Sequence, residues 1–312
     1  MPIANWRLCT NFVGDSYCNS FFYYFIMNRL ILFVAIVFSS VVKGYAQRIE
    51  PKEPAMFEVL FTKHVVRDTV SEVEKHPWPD AQMALRVGKT SAMFYPVLKF
   101  FRDSLAHYNP DLYWQLDRAN FEEERRTKVW KPLGGWENEY IFKNMPEGKW
   151  TVANYFDMER RVYEEEIETP VWEIADSVKT ILGYECQLAF TDFRGRRWSA
   201  WFTPEIPVAE GPWKLSGLPG LILEAYDAKR HYVFTSTGIV KDNLGDVGIY
   251  IFRDYFKTTR DKYLNDRYKY ITSTTSMGSK IAAAYGVKTN TDNAPKKVKR
   301  TPYDFEETNY PH

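Results

Sequence analysis

At 312 residues, with 45% apolar and 17% aromatic side chains, the chain is long enough for a sizeable core and too hydrophobic for a disordered protein. Lysine and arginine number 41 against 40 aspartate and glutamate, a formal net charge of +1, so no global field draws the chain to nucleic acid or to an acidic surface. No nucleic-acid partner is expected.

The chain opens on a targeting pattern. Met27-Asn28-Arg29 is a short basic start, Leu30 to Phe38 an apolar run, and Gly44 and Ala46 small residues two apart before Gln47. This is the three-part form of a secretory signal, cleaved between Ala46 and Gln47. Residues 1–26 then read as an upstream extension, 27–46 as the signal peptide, and 47–312 as one exported domain, periplasmic or extracellular. If the segment stays uncleaved, it is the only membrane contact expected. Cys9 and Cys18 leave with it, and Cys186 alone supports neither a disulfide framework nor a Cys-based zinc site. Its neighbours place it in a strand, as a small buried hydrophobe.

Residues 47–55 are a polar lead-in with Pro51 and Pro54, and 56–62 read as a first strand. Residues 83–87 and 91–95 suit a hairpin across Gly88-Lys89. Val97, Leu98, Phe101 and Leu105 recur at helical spacing, and the polar stretch 109–127 continues as helix. Strands follow at 140–142, 150–155 and 161–165, with Pro146 and Gly148 in the first connection. Further strands run through Trp172 to Ile174, through Cys186, and over 198–203, 221–226 and 231–236. In 198–203, Trp198, Ala200 and Phe202 alternate with Ser199, Trp201 and Thr203, so both faces are covered. Leu218-Pro219-Gly220-Leu221 has Pro and Gly at the central positions of a type II turn. Phe252, Tyr255, Phe256, Tyr263, Leu264 and Tyr268 suit an amphipathic helix over 249–270, ahead of a loop-rich tail that carries the basic run 296–300. The fold class is α+β, mostly β: a curved antiparallel sheet, an open or partial barrel, with packed helices.

Several stretches in order resemble the GLPGLI family of exported bacterial proteins, known from Bacteroidetes-type Gram-negative cells. They are Ile181-Leu182-Gly183-Tyr184-Glu185-Cys186, Phe193-Arg194-Gly195-Arg196, Trp201 to Pro207, Gly211-Pro212-Trp213-Lys214, and Gly217-Leu218-Pro219-Gly220-Leu221-Ile222. The likeness covers residues 170–240 strongly. It implies an envelope or secreted location and assigns no catalytic residue.

Arg194, Arg196 and Arg197, with Trp201 and Trp213, form the candidate recognition surface, because arginine beside aromatics suits partner surfaces. The alternative is a basic hairpin tip over an aromatic core. The turn at 217–220 has two readings, a loop approaching a ligand or a turn that sets strand register. The acidic run 164–168 reads as a solvated edge. His64, His76, His107, His231 and His312 are scattered and never spaced at i, i+2 or i, i+4. No nucleophile elbow, phosphate-binding loop or dinucleotide fingerprint occurs, so no cofactor, metal ligand or catalytic residue is assigned. The leading expectation is a non-enzymatic binding or envelope accessory protein, with an apolar ligand in the curved sheet or an envelope protein as partner. A hydrolase-type enzyme built from distant Asp, Glu and His is one alternative. A structural partner of an outer-membrane assembly is the other.

Overall fold

The computed structural model describes residues 48–66, 80–129, 132–156, 159–272 and 305–310. The signal-peptide and upstream readings, the basic run 296–300, His76 and His312 lie outside the described residues.

Two antiparallel meanders make the sheet. The first runs through β2 (Phe57–Val65), β3 (Ala81–Val87), β4 (Ala92–Pro96), β5 (Tyr140–Lys143), β6 (Lys149–Phe156) and β7 (Glu159–Glu166). The second runs through β8 (Glu173–Ile181), β9 (Tyr184–Phe193), β10 (Arg196–Thr203), β11 (Leu221–Asp227) and β12 (Tyr232–Val240). The antiparallel pair β2–β12 joins them, and the short β14 (Phe256–Lys257) adds a parallel edge to β7. The result is one twelve-stranded sheet that does not close into a barrel. Local chemistry sets its register. Leu182-Gly183 and Arg194-Gly195 both take φ > 0 between Ile181↔Tyr184 and Phe193↔Arg196, the two-residue turn whose twist matches antiparallel strands.

The sheet is strongly curled. Trp150 on β6 and Phe193 on β9 are eight strand steps apart in sheet order, about 38 Å if the sheet were flat. Their ring centroids lie 6.5 Å apart. One face therefore turns in on itself. It encloses Phe61, Phe94, Trp150, Trp198, Phe202 and Phe234, all at most 2% exposed. The expected alternation in β10 holds: Trp198, Ala200 and Phe202 point inward, while Ser199 and Trp201 face outward.

The outer face is covered by a ribbon of β1 (Arg48–Pro54) paired with β13 (Asp246–Ile251) and by helix α1 (Val97–Tyr108). Three expectations are corrected here. The polar lead-in forms a strand whose prolines are tolerated because β1 lies at an edge. The helix expected over 249–270 is strand as far as Ile251, and helix α3 begins only at Arg260 and ends at Thr272. Val247, Ile249 and Ile251 alternate onto the outer core, and that burial overrides the helical spacing of the aromatics behind them. The long helix of 97–127 is also broken, into α1 and α2 (Pro110–Thr127). Asn109 caps the second, its side chain accepting from Leu112 N at 3.2 Å, with Pro110 in the first turn.

The type II turn at 218–221 is corrected as well. Gly220 does not take the left-handed region; Gly217 does, at φ +87°. Gly220 N instead donates to Leu218 O at 2.8 Å, a three-residue turn about Pro219. Glycine is needed at 220 for closeness, since a Cβ there would lie 2.1 Å from the carbonyl oxygen of Thr203. Gly220→Ala is therefore expected to destabilise the fold by about 1–3 kcal/mol or more. Gly238→Ala, with nothing within 4 Å of the added carbon, should be near neutral. Urea denaturation of the two variants checks the contrast, and equal midpoints would refute it.

Candidate functional site

Residues 204–220 fold over the mouth of the curled sheet. Lys143, inward on β5 and 2% exposed, fixes this loop through Glu210 Oε2 (2.9 Å) and the carbonyl of Gly211 (2.7 Å). Next to it, α3 and the segment 305–310 fill the seam where the two ends of the sheet approach. Arg194 Nη1, on the β9–β10 turn, reaches Glu165 Oε2 of β7 at 3.0 Å across that seam.

Segment 305–310 (Phe-Glu-Glu-Thr-Asn-Tyr) lies inside. Phe305, Glu306, Glu307 and Tyr310 are 1, 3, 4 and 9% exposed. Glu306 Oε1 takes Lys63 Nζ at 2.7 Å, and Arg267 Nη1 stands 3.6 Å from its other oxygen. Glu307 is held by Lys214 Nζ and by Arg260, whose Nε is 2.7 Å away, with Arg194 at 3.5 Å. Arg196 donates twice to the carbonyl of Phe305, at 2.8 and 2.5 Å, while its third nitrogen pairs with Asp227 at 2.9 Å. Thr308 N donates to Arg194 O at 2.9 Å and its hydroxyl to Gly195 O at 3.0 Å. Arg267 also stacks over the Phe305 ring, 4.4 Å from its centroid.

These cations decide the charge states. Burial alone would raise the Glu306 carboxyl; Lys63 and then Arg267 overcome it and hold it at about 2. Glu307 is likewise lowered against burial by Lys214, Arg260 and Arg194, and Glu137 by Lys63, which it meets at 2.6 Å. Glu139 goes the other way. Burial, reinforced by the charge of Glu306, pushes it up, and it accepts hydrogen bonds from Tyr263 OH (2.9 Å) and Asn154 Nδ2 (3.1 Å). Glu137 also lines a cavity of about 270 Å³ with Pro96, Leu98, Gly134 and Trp136.

The five residues of the expected recognition surface separate. Arg194, Arg196 and Trp213 are buried inside, Trp213 against Trp198 with centroids 5.4 Å apart. Arg197 and Trp201 lie on the opposite face. Arg197 pairs with Glu173 and Asp192 at 2.7 and 2.9 Å, and Trp201 stacks under Lys179, whose Nζ is 4.4 Å from a ring centroid. The motif residues Leu218, Leu221 and Ile222 are core, and Gly217 packs where a Cβ would meet Thr169 Cγ2 at 2.4 Å. The solvated reading of 164–168 holds for Glu166 and fails for Glu165, which pairs with Lys214 at 2.6 Å. Cys186 is buried and its thiol is pushed up to about 11 by that burial, which keeps it protonated. His64 bonds Asp80 at 2.8 Å on the open surface, and the buried His231 Nδ1 has no hydrogen-bond partner among the described residues. Among the described residues no three His, Cys, Asp or Glu side chains gather as a metal site.

Residues 195–224 match the sequence model of a family described as a protein of unknown function, Porph_ging. That stretch runs from the β9–β10 turn through the covering loop into β11, so it contains Arg196, Trp213 and Lys214. No curated protein matches the chain. Solved structures of PNGF-II in two space groups are similar at 12% identity, with TM-scores of 0.42 and 0.41. They cover 70% and 68% of this chain and 34% and 32% of their own, so the chain spans about a third of their length.

Proposed function

We propose that the chain is an exported, GLPGLI-type binding protein without catalysis of its own, and that its binding site is the seam and interior of the curled sheet. One observation carries this. A six-residue segment is held there as a ligand is held, by converging side chains from four separate parts of the chain rather than by a strand ladder. The cations come from β2 (Lys63), the β9–β10 hairpin (Arg194, Arg196), the covering loop (Lys214) and α3 (Arg260, Arg267). An apolar ligand suits this interior less well than a mixed one, because aromatic walls end on buried charge. Native mass spectrometry of the purified chain, incubated with envelope extract, should show a stoichiometric adduct. A chain that stays unliganded against soluble and detergent-extracted material alike overturns the reading.

A second reading, partner of an envelope assembly, is favoured by a different surface. The α1–α2 hairpin leaves Leu98, Phe101, Tyr108, Trp114 and Phe121 between 48 and 67% exposed, more apolar surface than scattered single residues present.

A further inference from the structure

We infer that the cavity beside Glu137 is a further binding site, distinct from the seam, and that it takes a small organic ammonium ion with an apolar body. It does not depend on the reading of the seam.

The cavity is left open by the residues that build it. It lies where the start of β3, the junction of β4 with α1 and the stretch ahead of β5 meet. Ala81, the first residue of β3, is small, and Pro96 closes β4 with a ring tied to its own backbone. Opposite them the chain turns at Gly135, φ +70°, whose N–H donates to Pro132 O at 2.8 Å. Gly134 and Gly135 bring no side chain to this wall, while Leu98 and Trp136 supply the larger apolar surfaces. The volume, about 270 Å³, corresponds to about nine water-sized groups, so the occupant is small.

Charge selects the occupant. Two carboxylates line the cavity, Asp80 and Glu137, and among the described residues no cation does. Asp80 is 45% exposed and Glu137 only 14%, so one stands toward solvent and the other at depth. Glu137 is fixed before any ligand arrives. Lys63 Nζ holds its Oε2 at 2.6 Å, and the backbone N–H groups of Asn138 and Glu139 donate to Oε1 at 2.9 and 3.2 Å. Burial would raise its carboxyl, and Lys63 overcomes that and keeps it ionised. Lys63 also offsets part of its charge, which leaves Asp80, bonded by His64 at 2.8 Å, as the main attraction for a cation. Arg102 packs behind Gly134 and is engaged by Asp103 at 2.8 Å. An anion in the cavity would meet two like charges at close range. A wholly apolar occupant would strip water from Asp80 and return no hydrogen bond. An ammonium ion on an apolar body satisfies both demands, with its charge toward the carboxylates and its body against Pro96, Leu98 and Trp136. Indole is also the aromatic ring that best accepts a cation.

The test titrates the full chain with phenethylamine, which is about the size of the cavity, and with two compounds of matched shape, neutral 2-phenylethanol and anionic phenylacetate. Isothermal titration calorimetry and saturation-transfer NMR read the binding. Phenethylamine should bind a single site about tenfold more tightly than 2-phenylethanol, and phenylacetate should not bind. Asp80→Asn should weaken the amine about fivefold and leave the alcohol unchanged, a split that a general loss of structure would not produce. Leu98→Trp, at a half-exposed position on α1, should fill the cavity and abolish both. Near-ultraviolet dichroism shows that each variant keeps the native fold, and Asp80→Asn alone decides the matter if Leu98→Trp does not. Equal affinity for amine and alcohol, an amine affinity unmoved by Asp80→Asn, or amine binding that survives Leu98→Trp overturns the inference. Absence of saturable amine binding to the wild-type chain overturns it as well.

Discussion

Lys214→Met is expected to lower the unfolding free energy by about 3–5 kcal/mol, the loss typical when one partner of a buried ion pair is removed. Lys214 is 1% exposed, and its ammonium meets Glu165 Oε1 at 2.6 Å, Glu307 Oε1, and the hydroxyl of Tyr163 at 3.2 Å. Methionine keeps most of the apolar stem, which runs among Trp150, Trp213 and Tyr163, so packing is largely preserved and the loss is electrostatic. What remains is two buried carboxylates compensated, among the described residues, by Arg194 and Arg260. Adding Glu307→Gln removes one of the orphaned charges and should recover part of the loss. Urea denaturation followed by tryptophan fluorescence measures both. Strictly additive losses in the double variant would show that Lys214 and Glu307 do not act as a pair, and the account of the seam would fail.

How much of this seam was legible in the sequence depends on the residue. Strand alternation marks some of it plainly. In β2 the inward positions run Phe57, Val59, Phe61 and then Lys63, a charge on the core face of a strand. Ile141 and Lys143 repeat the pattern on β5, and Tyr163 and Glu165 on β7. Each is a buried charge announced by parity, and each needs a partner. Parity cannot name that partner. Lys63 and Glu306 are 243 positions apart, and only the curl of the sheet brings them to 2.7 Å. Alternation itself separates Arg196 from Arg197: consecutive on one strand, they point to opposite faces, and a patch drawn from neighbouring letters was bound to divide. The basic hairpin tip at 194–195, the two-sided burial of β10 and the mostly β class were readable because turn chemistry and period-two patterning are local. The extent of the C-terminal helix was not, since β13 is fixed by pairing with β1, which lies about 200 residues away.

Acid should open the seam after first tightening it, and this profile tests the charge assignments together. Three carboxyls, Glu306, Glu307 and Glu137, are held below their ordinary value of 4.5 in the folded chain, so the stability they contribute is present above that pH and disappears as pH falls through their folded values. For Glu306, at about 2, that contribution is about 3 kcal/mol. Glu139 is raised by burial and by the charge of Glu306, so it carries the opposite sign: as pH falls toward 4.5 the folded chain takes up a proton the unfolded chain does not, and stability rises. The groups facing Glu306 are Lys63 on β2, Arg267 on α3, and Glu137 and Glu139 ahead of β5. Both cations stay charged throughout this range, Lys63 because Glu137 and Glu306 raise it further against the pull of burial. Melting temperatures between pH 8 and pH 2.5 should therefore pass through a shallow maximum and then fall steeply below about 4.5. Glu139→Gln should flatten the rise, because glutamine supplies the same acceptor to Tyr263 and Asn154 without the charge. Glu306→Gln should lower the neutral plateau and blunt the acid limb. An acid limb unchanged in Glu306→Gln would place the titrating groups elsewhere, and the role of segment 305–310 as the charge that fills the seam would have to be abandoned.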